Sequence, residues 1–303
     1  MSKTAKEYWE FAVLSENAYE LKGGTRLPWP PQDLNAPDLY QQAFEQSCIP
    51  GRKRYLPLKG WEPWPDFPGA ILKKQGQEVG FQVEVWEKEG SSPLEVVVAF
   101  RGTEANWDDW RANLRWFLRF VPFYTTKNDQ YGFIAEEFSP AFVSKLKEKV
   151  NSQSATFKVN LVAVGHSLGG GLAQYFAYSL PEENYNNGMP VDRVREVYAF
   201  DPSPVTGWYS VDGTLRTANA KDLKIDRIFE HGEALAYIRL LLSYVNPPSL
   251  KDPAMQEIRY NFVPSLNPFS SHSMTYLACS LIHFSGQAAI PDFPKKFGYD
   301  LSF

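Results

Sequence analysis

Cysteine and histidine are scarce in this sequence, which has two and four of them, respectively, among 303 residues. Cys48 and Cys279 lie far apart in ordinary surroundings, so we predict reduced, buried thiols rather than a disulfide. Neither cysteine belongs to a cluster with the spacing of metal ligands, and we expect no metal site and no cofactor. The small number of histidines also limits the search for a catalytic base to four positions.

The chain also lacks an excess of basic residues and a long apolar run. It contains 31 Lys+Arg and 35 Asp+Glu, a formal net charge of -4, which argues against nucleic acid as a partner. The most apolar stretches, residues 235–245 and 274–284, are about half the length that spans a bilayer and predict core helices. Charged residues throughout residues 1–20 leave no apolar segment of signal-peptide length. We therefore expect a cytoplasmic protein, with export by a signal-peptide-independent secretion system as the alternative.

Hydrophobic residues make up 44% of the chain and aromatic residues 15%, which is enough to build a large core. Residues 5–21 have apolar side chains at helical spacing and predict an N-terminal helix. Residues 27–67 are rich in proline and tryptophan, and we predict irregular structure wrapped on the surface. We predict one domain over residues 1–303, made of the helix and wrap (1–79), a core (80–285) and a C-terminal tail (286–303).

The core has the pattern of alternating strands and helices. Residues 80–89 alternate between apolar and polar side chains, which predicts an outer antiparallel strand, whereas residues 94–100 are continuously apolar and predict a strand buried on both faces. The predicted fold class is α/β, with a mostly parallel central sheet and helices on both faces. Further strands are predicted at 159–164, 196–200, 224–229 and 257–263, and helices at 106–119, 133–150, 170–180, 234–242 and 274–284.

One motif, Gly165-His166-Ser167-Leu168-Gly169, has the form G-x-S-x-G and lies between a predicted strand and a predicted helix. In that context the motif is typical of the nucleophile elbow of α/β-hydrolases, where a sharp turn lifts the serine above the sheet. Glycine at both ends of the motif permits close approach of the strand and the helix. Because a serine hydroxyl is a poor nucleophile at neutral pH, Ser167 requires a base and oxyanion donors.

Two of the histidines are candidates for this base. In α/β-hydrolases the chain order is serine, acid, histidine. This order excludes His166, which lies inside the elbow and should pack beneath it, and His231 lies in the loop where the acid is expected. His272 follows a predicted strand and a loop, just before a helix, and is the first candidate. His283 lies within an apolar helical stretch and is the alternative base.

Three carboxylates are candidates for the acid that orients the imidazole. Glu230 and Glu233 follow the predicted strand 224–229, and Asp201 follows the strand before it. Gly232 gives the loop freedom to direct the side chain of Glu233, so Glu233 is the first candidate, Asp201 the second and Glu230 the third. The alternative role of Glu233 is a favourable charge at the start of the predicted helix 234–242.

Two segments, VVVAFRGT at 96–103 and VAVGHSLGGGLA at 162–173, together resemble the class 3 lipases. The resemblance covers residues 80–285 and implies an α/β-hydrolase in which Ser167 is the nucleophile and His272 the base. It further implies that Thr103 and the backbone N–H of Leu168 form the oxyanion hole. The family usually has aspartate as the acid, whereas the corresponding loop of this chain offers glutamates.

Residues 106–124 form an amphipathic segment that includes Trp107, Trp110 and Phe117, with arginines beside them. The segment predicts either a helix packed on the core or a lid that covers an acyl pocket and contacts anionic headgroups. In the fungal members of the family, a lid follows the corresponding strand.

These observations predict serine-dependent hydrolysis of lipid carboxylic esters through an acyl-enzyme intermediate. The expected partners are a lipid or ester substrate and, transiently, a membrane surface; protein partners are not predicted. One alternative is an inactive hydrolase fold that serves as a binding protein, because the acid loop departs from the family pattern. Another is an antibacterial phospholipase effector exported by a dedicated secretion system.

Overall fold

The computed structural model describes residues 5–19, 41, 44–45, 47–48, 55–102, 130–151, 158–185, 188, 190–233, 235, 251–262 and 272–287. Within these ranges seven strands form a single sheet, in which the spatial order of the strands is their order in the chain. The strands are β1 (Trp61–Pro63), β2 (Val83–Lys88), β3 (Leu94–Phe100), β4 (Val159–His166), β5 (Val194–Phe200), β6 (Lys224–Glu230) and β7 (Ala254–Tyr260).

The sheet is antiparallel at one edge and parallel elsewhere. β1 and β3 both run antiparallel to β2, and every neighbouring pair from β3 to β7 is parallel. The described helices are α1 (Ala5–Asn17), α2 (Ala70–Glu78), α3 (Gln130–Phe133), α4 (Ser139–Asn151), α5 (Leu168–Ser179), α6 (Gly213–Ala220) and α7 (Met274–Ser285), with a π-helical turn at Ile134–Phe138 and a 3-10 turn at Trp208–Ser210.

The helices divide between the two faces of the sheet according to their position in the chain. Connections between parallel strands are almost always right-handed, so strands added in one direction place their crossover helices on one face. Accordingly, α4 and α5 pack on one face, whereas α1 and α7, from the two ends of the chain, cover the other. The predicted α/β sheet with helices on both faces is therefore confirmed.

Most predicted elements within the described residues are present. β3 occupies residues 94–100 as predicted, and five of its seven residues are buried. The predicted outer strand at residues 80–89 is β2, and it is antiparallel as expected. The helix predicted at residues 133–150 begins earlier, at Gln130, and contains the π-helical turn. The predicted helix at residues 106–119 lies outside the described residues. Each described helix is too short or too polar to cross a bilayer.

Residues 27–67 were predicted to wrap the surface, and this prediction was wrong for residues 61–64, near the end of that range. Trp61 lies in β1, beside β2, and only 1% of it is exposed, while Trp64 is 5% exposed. Trp61 packs edge-on against Phe11 of α1, and Trp64 stacks on Phe142 of α4. The proline pattern correctly indicates limited regular structure, but the indole rings supply apolar area that is buried on both faces of the sheet.

The prediction of reduced thiols was also wrong, because Cys48 and Cys279 form a disulfide. The two residues are separated by 231 positions in the sequence, and both are fully buried. Cys279 lies in α7, which packs against α1 on the second face of the sheet. Residues so far apart meet only through the tertiary fold, so neither cysteine's local surroundings indicate the pairing.

Removing this disulfide should destabilise the fold without changing the site directly. We expect the double variant Cys48→Ser/Cys279→Ser to lose roughly 2–4 kcal/mol of unfolding free energy, because the cross-link restricts the unfolded chain. Urea unfolding, with and without a reductant, measures the change. The wild type should lose stability when reduced and the double variant should not respond. An unfolding midpoint of the wild type that is unaffected by reductant would contradict the assignment.

Candidate active site

The candidate nucleophile lies at the turn between β4 and α5. Ser167 has φ 55° and ψ -123°, a backbone conformation that is costly for a residue with a side chain. Three backbone hydrogen bonds hold the turn: the Ser167 N–H donates to the carbonyl of Phe200, and its own carbonyl accepts from Gly170 and Ser203. The strained elbow geometry expected from G-x-S-x-G is therefore present, and it directs the hydroxyl away from the sheet.

The two glycines of the elbow allow the strand and the helix to approach each other. A Cβ atom on Gly165 would lie 2.2 Å from the carbonyl oxygen of Gly169, and one on Gly169 would lie 2.3 Å from the carbonyl oxygen of Phe100. Neither backbone oxygen can move away cheaply, since each belongs to the framework of the elbow. The spacing of the motif is thus explained by direct contact between main chains.

His272 reaches Ser167 from the opposite end of the sequence. Its Nε2 atom lies 3.0 Å from the Ser167 Oγ atom, across a separation of 105 residues. His272 immediately precedes Ser273, whose side chain caps α7 by accepting the N–H of Tyr276. The start of a capped helix therefore holds the imidazole, and Ser167 can donate its proton to Nε2.

Glu233 completes the contact chain on the other side of the imidazole. Its Oε2 atom lies 2.8 Å from His272 Nδ1 and also accepts the backbone N–H of Leu235. The side chain of Glu233 is fully buried, and that of His272 is 11% exposed. Gly232, with φ 77°, makes the loop turn before Glu233. A buried carboxylate in this position fixes Nδ1 as the protonated nitrogen and stabilises an imidazolium.

The two alternative acids lie nearby and make different contacts. Asp201 is fully buried and accepts the Glu230 N–H through Oδ1, while its Oδ2 atom is 3.9 Å from His166 Nε2. Glu230 is also fully buried, and its Oε1 atom accepts the N–H of Phe262. Among the three candidates, Glu233 is the one placed against His272 Nδ1.

The alternative base, His283, is not brought to Ser167 by its helix. It lies in the last turn of α7, and its ring packs edge-on against Phe284. His272 comes just before the first turn, and a helix of this length separates its two ends by about 15 Å. The geometry thus favours His272 as the partner of Ser167.

Of the two candidate oxyanion donors, Leu168 and Thr103, Leu168 lies within the described residues. Leu168 is the first residue of α5, where backbone N–H groups have no acceptor within the helix. Gly102 lies at the end of β3, and a Cβ atom there would be 3.2 Å from Ser167 Cβ. The strand end that precedes Thr103 therefore adjoins the nucleophile. Thr103 itself and the candidate lid residues Trp107, Trp110 and Phe117 lie outside the described residues.

Sequence reasoning missed a second hydrogen-bonded group beneath the elbow. The hydroxyl of Tyr19 lies 2.7 Å from His166 Nδ1 and 3.2 Å from the nitrogen of Gly102. His166 Nε2 is 2.9 Å from the backbone oxygen of His272. Tyr19 comes 147 residues before His166, and its position at the end of a plain amphipathic helix gives no signal that it reaches the site.

A group of potential metal ligands also occurs in the described part of the chain. One nitrogen or oxygen atom from each of His166, Asp201 and His272 lies within 4.8 Å of the others. The His166 ring contacts the backbone oxygen of His272, the His272 ring contacts Ser167 and Glu233, and Asp201 accepts the N–H of Glu230 through Oδ1. We interpret the group as part of the hydrogen-bonded network of the site.

A cavity of about 430 Å³ lies beside this network. It extends along β2 between α2 and the end of α1, and polar side chains such as Glu84 contribute one part of its wall. Tyr19 belongs both to the cavity wall and to the group around Gly102. The aromatic and aliphatic lining includes Tyr19, Trp64, Phe67, Leu72, Phe81 and Phe138.

Residues 97–225 match the family model described as lipase (class 3). The match begins in β3 and ends in β6, so it contains Ser167 but neither Glu233 nor His272. The resemblance to class 3 lipases is confirmed for this part of the chain, and it supports lipid ester hydrolysis in general. The assignment of the acid and the base rests on the contacts described above.

Several solved structures are similar to this chain at low identity, while a comparison with curated proteins found no match. Acyl-protein thioesterase 2 from Zea mays is 13% identical, with 52% of this chain and 70% of that chain covered and a TM-score of 0.29. Esterase B from Lactobacillus rhamnosis is 11% identical, with 75% and 84% covered and a TM-score of 0.37. M37 lipase is 13% identical, with 98% and 94% covered and a TM-score of 0.34.

Proposed function

We propose that this protein hydrolyses carboxylic esters of lipids through a covalent acyl-enzyme. The contact chain from Ser167 Oγ to His272 Nε2 and from His272 Nδ1 to Glu233 carries the proposal. These three groups have the types, order and distances that nucleophilic catalysis by serine requires. The match of residues 97–225 to class 3 lipases supports esters as the substrate.

In the first half of the reaction, Ser167 Oγ attacks the ester carbonyl while its proton passes to His272 Nε2. The carbonyl oxygen becomes an oxyanion, which the N–H of Leu168 and the groups of Thr103 would stabilise. Glu233 accepts the Nδ1 proton in a hydrogen bond and stabilises the imidazolium without taking the proton. Collapse of the intermediate breaks the carbon–oxygen bond, and the imidazolium protonates the departing alcohol.

In the second half, a water molecule replaces the alcohol. His272 Nε2 removes a proton from this water as its oxygen attacks the acyl carbon, and the same oxyanion donors serve again. Collapse then expels Ser167 Oγ, which recovers its proton from His272. The products are a fatty acid and an alcohol, and the protein returns to its starting protonation state.

Hydrolysis assays that compare the wild type with Ser167→Ala test this proposal. The rate of Ser167→Ala gives the background hydrolysis that does not depend on the serine. The substrates are p-nitrophenyl acyl esters, triacylglycerol emulsions and phospholipid vesicles, with release of free fatty acid as the readout for the lipids. We expect serine-dependent release from at least one lipid ester. Equal rates for the two proteins on every ester would defeat the proposal and favour a hydrolase fold retained for binding.

We further propose that the cavity along β2 receives the acyl chain. Leu72→Trp would fill part of the cavity, because Leu72 lines it. We expect kcat/KM for a p-nitrophenyl palmitate to fall by about tenfold or more while that for the acetate is unchanged, since each displaced methylene group costs binding. The control is Ile71→Trp on the exposed side of the same helix, because Ile71 is 78% exposed. Equal chain-length profiles for the two variants would exclude this cavity as the acyl site.

A further inference from the structure

Tyr19 and His166 link two parts of the candidate site that are distant in the sequence. Tyr19, just after α1, lies within hydrogen-bonding distance of both the Gly102 nitrogen at the end of β3 and the His166 ring, at 3.2 Å and 2.7 Å. His166 in turn lies 2.9 Å from the backbone oxygen of His272. Tyr19 therefore contacts the strand end that adjoins the candidate oxyanion donors, and His166 contacts the main chain of the base, His272.

The hydrogen bonds of this link have one consistent direction. A backbone carbonyl can only accept, so His166 Nε2 must carry the proton that is donated to His272. In a neutral imidazole the other nitrogen, Nδ1, is then an acceptor, and Tyr19 donates its hydroxyl proton to it. The Tyr19 oxygen retains lone pairs, and one accepts the N–H of Gly102. Each bond thus supports the orientation of the next.

The surroundings make this arrangement rigid. His166 is 6% exposed, and the centroid of its ring is 4.8 Å from that of His272. A Cβ atom on Gly102 would lie 2.5 Å from the Tyr19 hydroxyl and 3.2 Å from Ser167 Cβ. A shift of the Tyr19 hydroxyl would therefore affect the strand end beside the nucleophile as well as the histidine below it.

A second contact joins α1 to the first turn of α7. Thr275 donates its hydroxyl proton to Glu16 Oε1 at 2.6 Å, across 259 residues. Glu16 is only 5% exposed, and its negative charge is favourable near the N-terminus of a helix. The end of α1 is therefore linked to the His272 region in two ways, through Tyr19 and His166 to the backbone of His272 and through Glu16 to Thr275 in the first turn of α7.

We propose that Tyr19 and His166 are positioning residues that hold His272 and the end of β3 at fixed distances from Ser167. This inference rests on the proposed function, in which Ser167 and His272 exchange a proton. This role does not depend on contact with the reacting atoms, and because Tyr19 also lines the cavity proposed for the acyl chain, a short-chain ester such as p-nitrophenyl acetate is the substrate that isolates it. Both residues act by preventing displacements of the base and of the oxyanion donors that would lower the rate, because proton transfer and oxyanion stabilisation depend steeply on distance.

The first test compares Tyr19→Phe with Tyr8→Phe. Both variants remove one hydroxyl from the α1 region, and Tyr8 donates to Asp226 Oδ2 in the first half of β6. Burial and the neighbouring Asp226 raise the pKa of Tyr8, so it also stays a donor. We expect Tyr19→Phe to lower kcat about 10- to 100-fold with KM within about twofold. Tyr8→Phe should reduce the unfolding midpoint and leave kcat within about twofold. Equal effects of the two variants on kcat would overturn the proposal.

The second test separates the two bonds of His166. Glutamine places an amide near the position of Nε2, so His166→Gln can still donate to the His272 carbonyl. Asparagine places its amide near Nδ1, so His166→Asn can still accept from Tyr19 but loses the contact with His272. We expect His166→Gln to retain more of kcat than His166→Asn at similar stability. The same kcat for both variants would show that His166 does not act through His272.

A third measurement does not depend on turnover. The proton between His272 Nδ1 and Glu233 gives a strongly downfield proton NMR signal when the hydrogen bond is intact. Tyr19→Phe should shift or broaden this signal, and Tyr8→Phe should leave it as in the wild type. An unchanged signal in Tyr19→Phe would overturn the positioning role, whether or not the wild type hydrolyses esters. An inactive wild type with the expected NMR change would instead refute the proposed function alone.

Discussion

Replacement of Ser167 by alanine should lower kcat by about a million-fold, to the small residual rate that binding and oxyanion donors provide. The reason is that alanine removes the nucleophile, so that no acyl-enzyme forms and His272 loses the proton donor 3.0 Å from its Nε2 atom. Any remaining hydrolysis must proceed by direct attack of water. Steady-state and burst kinetics with a p-nitrophenyl ester measure both effects, because the wild type should release its first equivalent of nitrophenol in a burst and the variant should not.

A matched control is available in α7. Ser280 is fully buried, and its hydroxyl donates to the Tyr276 carbonyl, so Ser280→Ala also removes one buried serine hydroxyl. We expect that variant to keep the wild-type kcat with a small loss of stability. Circular dichroism and urea unfolding establish that both variants are folded. A folded Ser167→Ala protein with more than about a tenth of the wild-type kcat would contradict the assignment of the nucleophile.

Replacement of Glu233 by glutamine should lower kcat by about ten-thousand-fold. The glutamine side chain has nearly the same shape but no negative charge, so it no longer stabilises the imidazolium, and its amide can hold His272 in the wrong tautomer. Glu233→Asp keeps the charge but is shorter by one methylene group, and it should retain more activity than Glu233→Gln. The pH dependence of kcat for the three proteins measures how far the carboxylate supports the base.

Glu230 and Asp201 provide the controls for this assignment. Both are fully buried carboxylates close to the same loop, and each accepts a backbone N–H, Asp201 that of Glu230 and Glu230 that of Phe262. In Glu230→Gln and Asp201→Asn a carbonyl oxygen can still accept those N–H protons. We therefore expect both to lose stability and to keep kcat within about tenfold. If one of them lost as much activity as Glu233→Gln, with Glu233→Gln itself near the wild type, the acid would be wrongly identified.

The sequence predicted the parts of the fold that local patterns determine. β3 is buried on both faces between two neighbours, so its side chains form an unbroken apolar run. The elbow is determined by contacts between residues four apart, so Gly165 and Gly169 are visible as a motif. The choice of His272 depended on chain order and on its place before a helix. The geometry then placed its imidazole beside Ser167.

Other features depend on contacts that no local pattern reports. Trp61 resembles a loop residue because prolines surround it, yet it is buried because β1 adds to the sheet edge. Cys48 and Cys279 meet because Cys48 and α7 belong to the same buried cluster on one face of the sheet. Tyr19 reaches the site for the same reason, since its helix ends beneath the elbow. These contacts are set by topology: Tyr19 and His166 are 147 residues apart, and the two cysteines are separated by 231.

The choice of Glu233 among the candidate acids could be predicted from the sequence only in part. The loop after β6 was predicted to supply the acid, but it offers both Glu230 and Glu233, and Asp201 after β5 was a third candidate. What distinguishes Glu233 is the turn at Gly232, with φ 77°, which directs the side chain to His272 while Glu230 and Asp201 bind backbone groups. The sequence could indicate that the loop can turn. The direction of each side chain follows from the packing around it.

Covalent labelling of the folded wild type with a fluorophosphonate probe tests the central claim most directly, because the probe reacts with serines that a neighbouring base has activated. The account predicts stoichiometric labelling that peptide mass spectrometry locates at Ser167, and labelling that is strongly reduced in His272→Ala and retained in Ser280→Ala. A folded wild-type protein that remains unlabelled, or that is labelled equally well without His272, would contradict it.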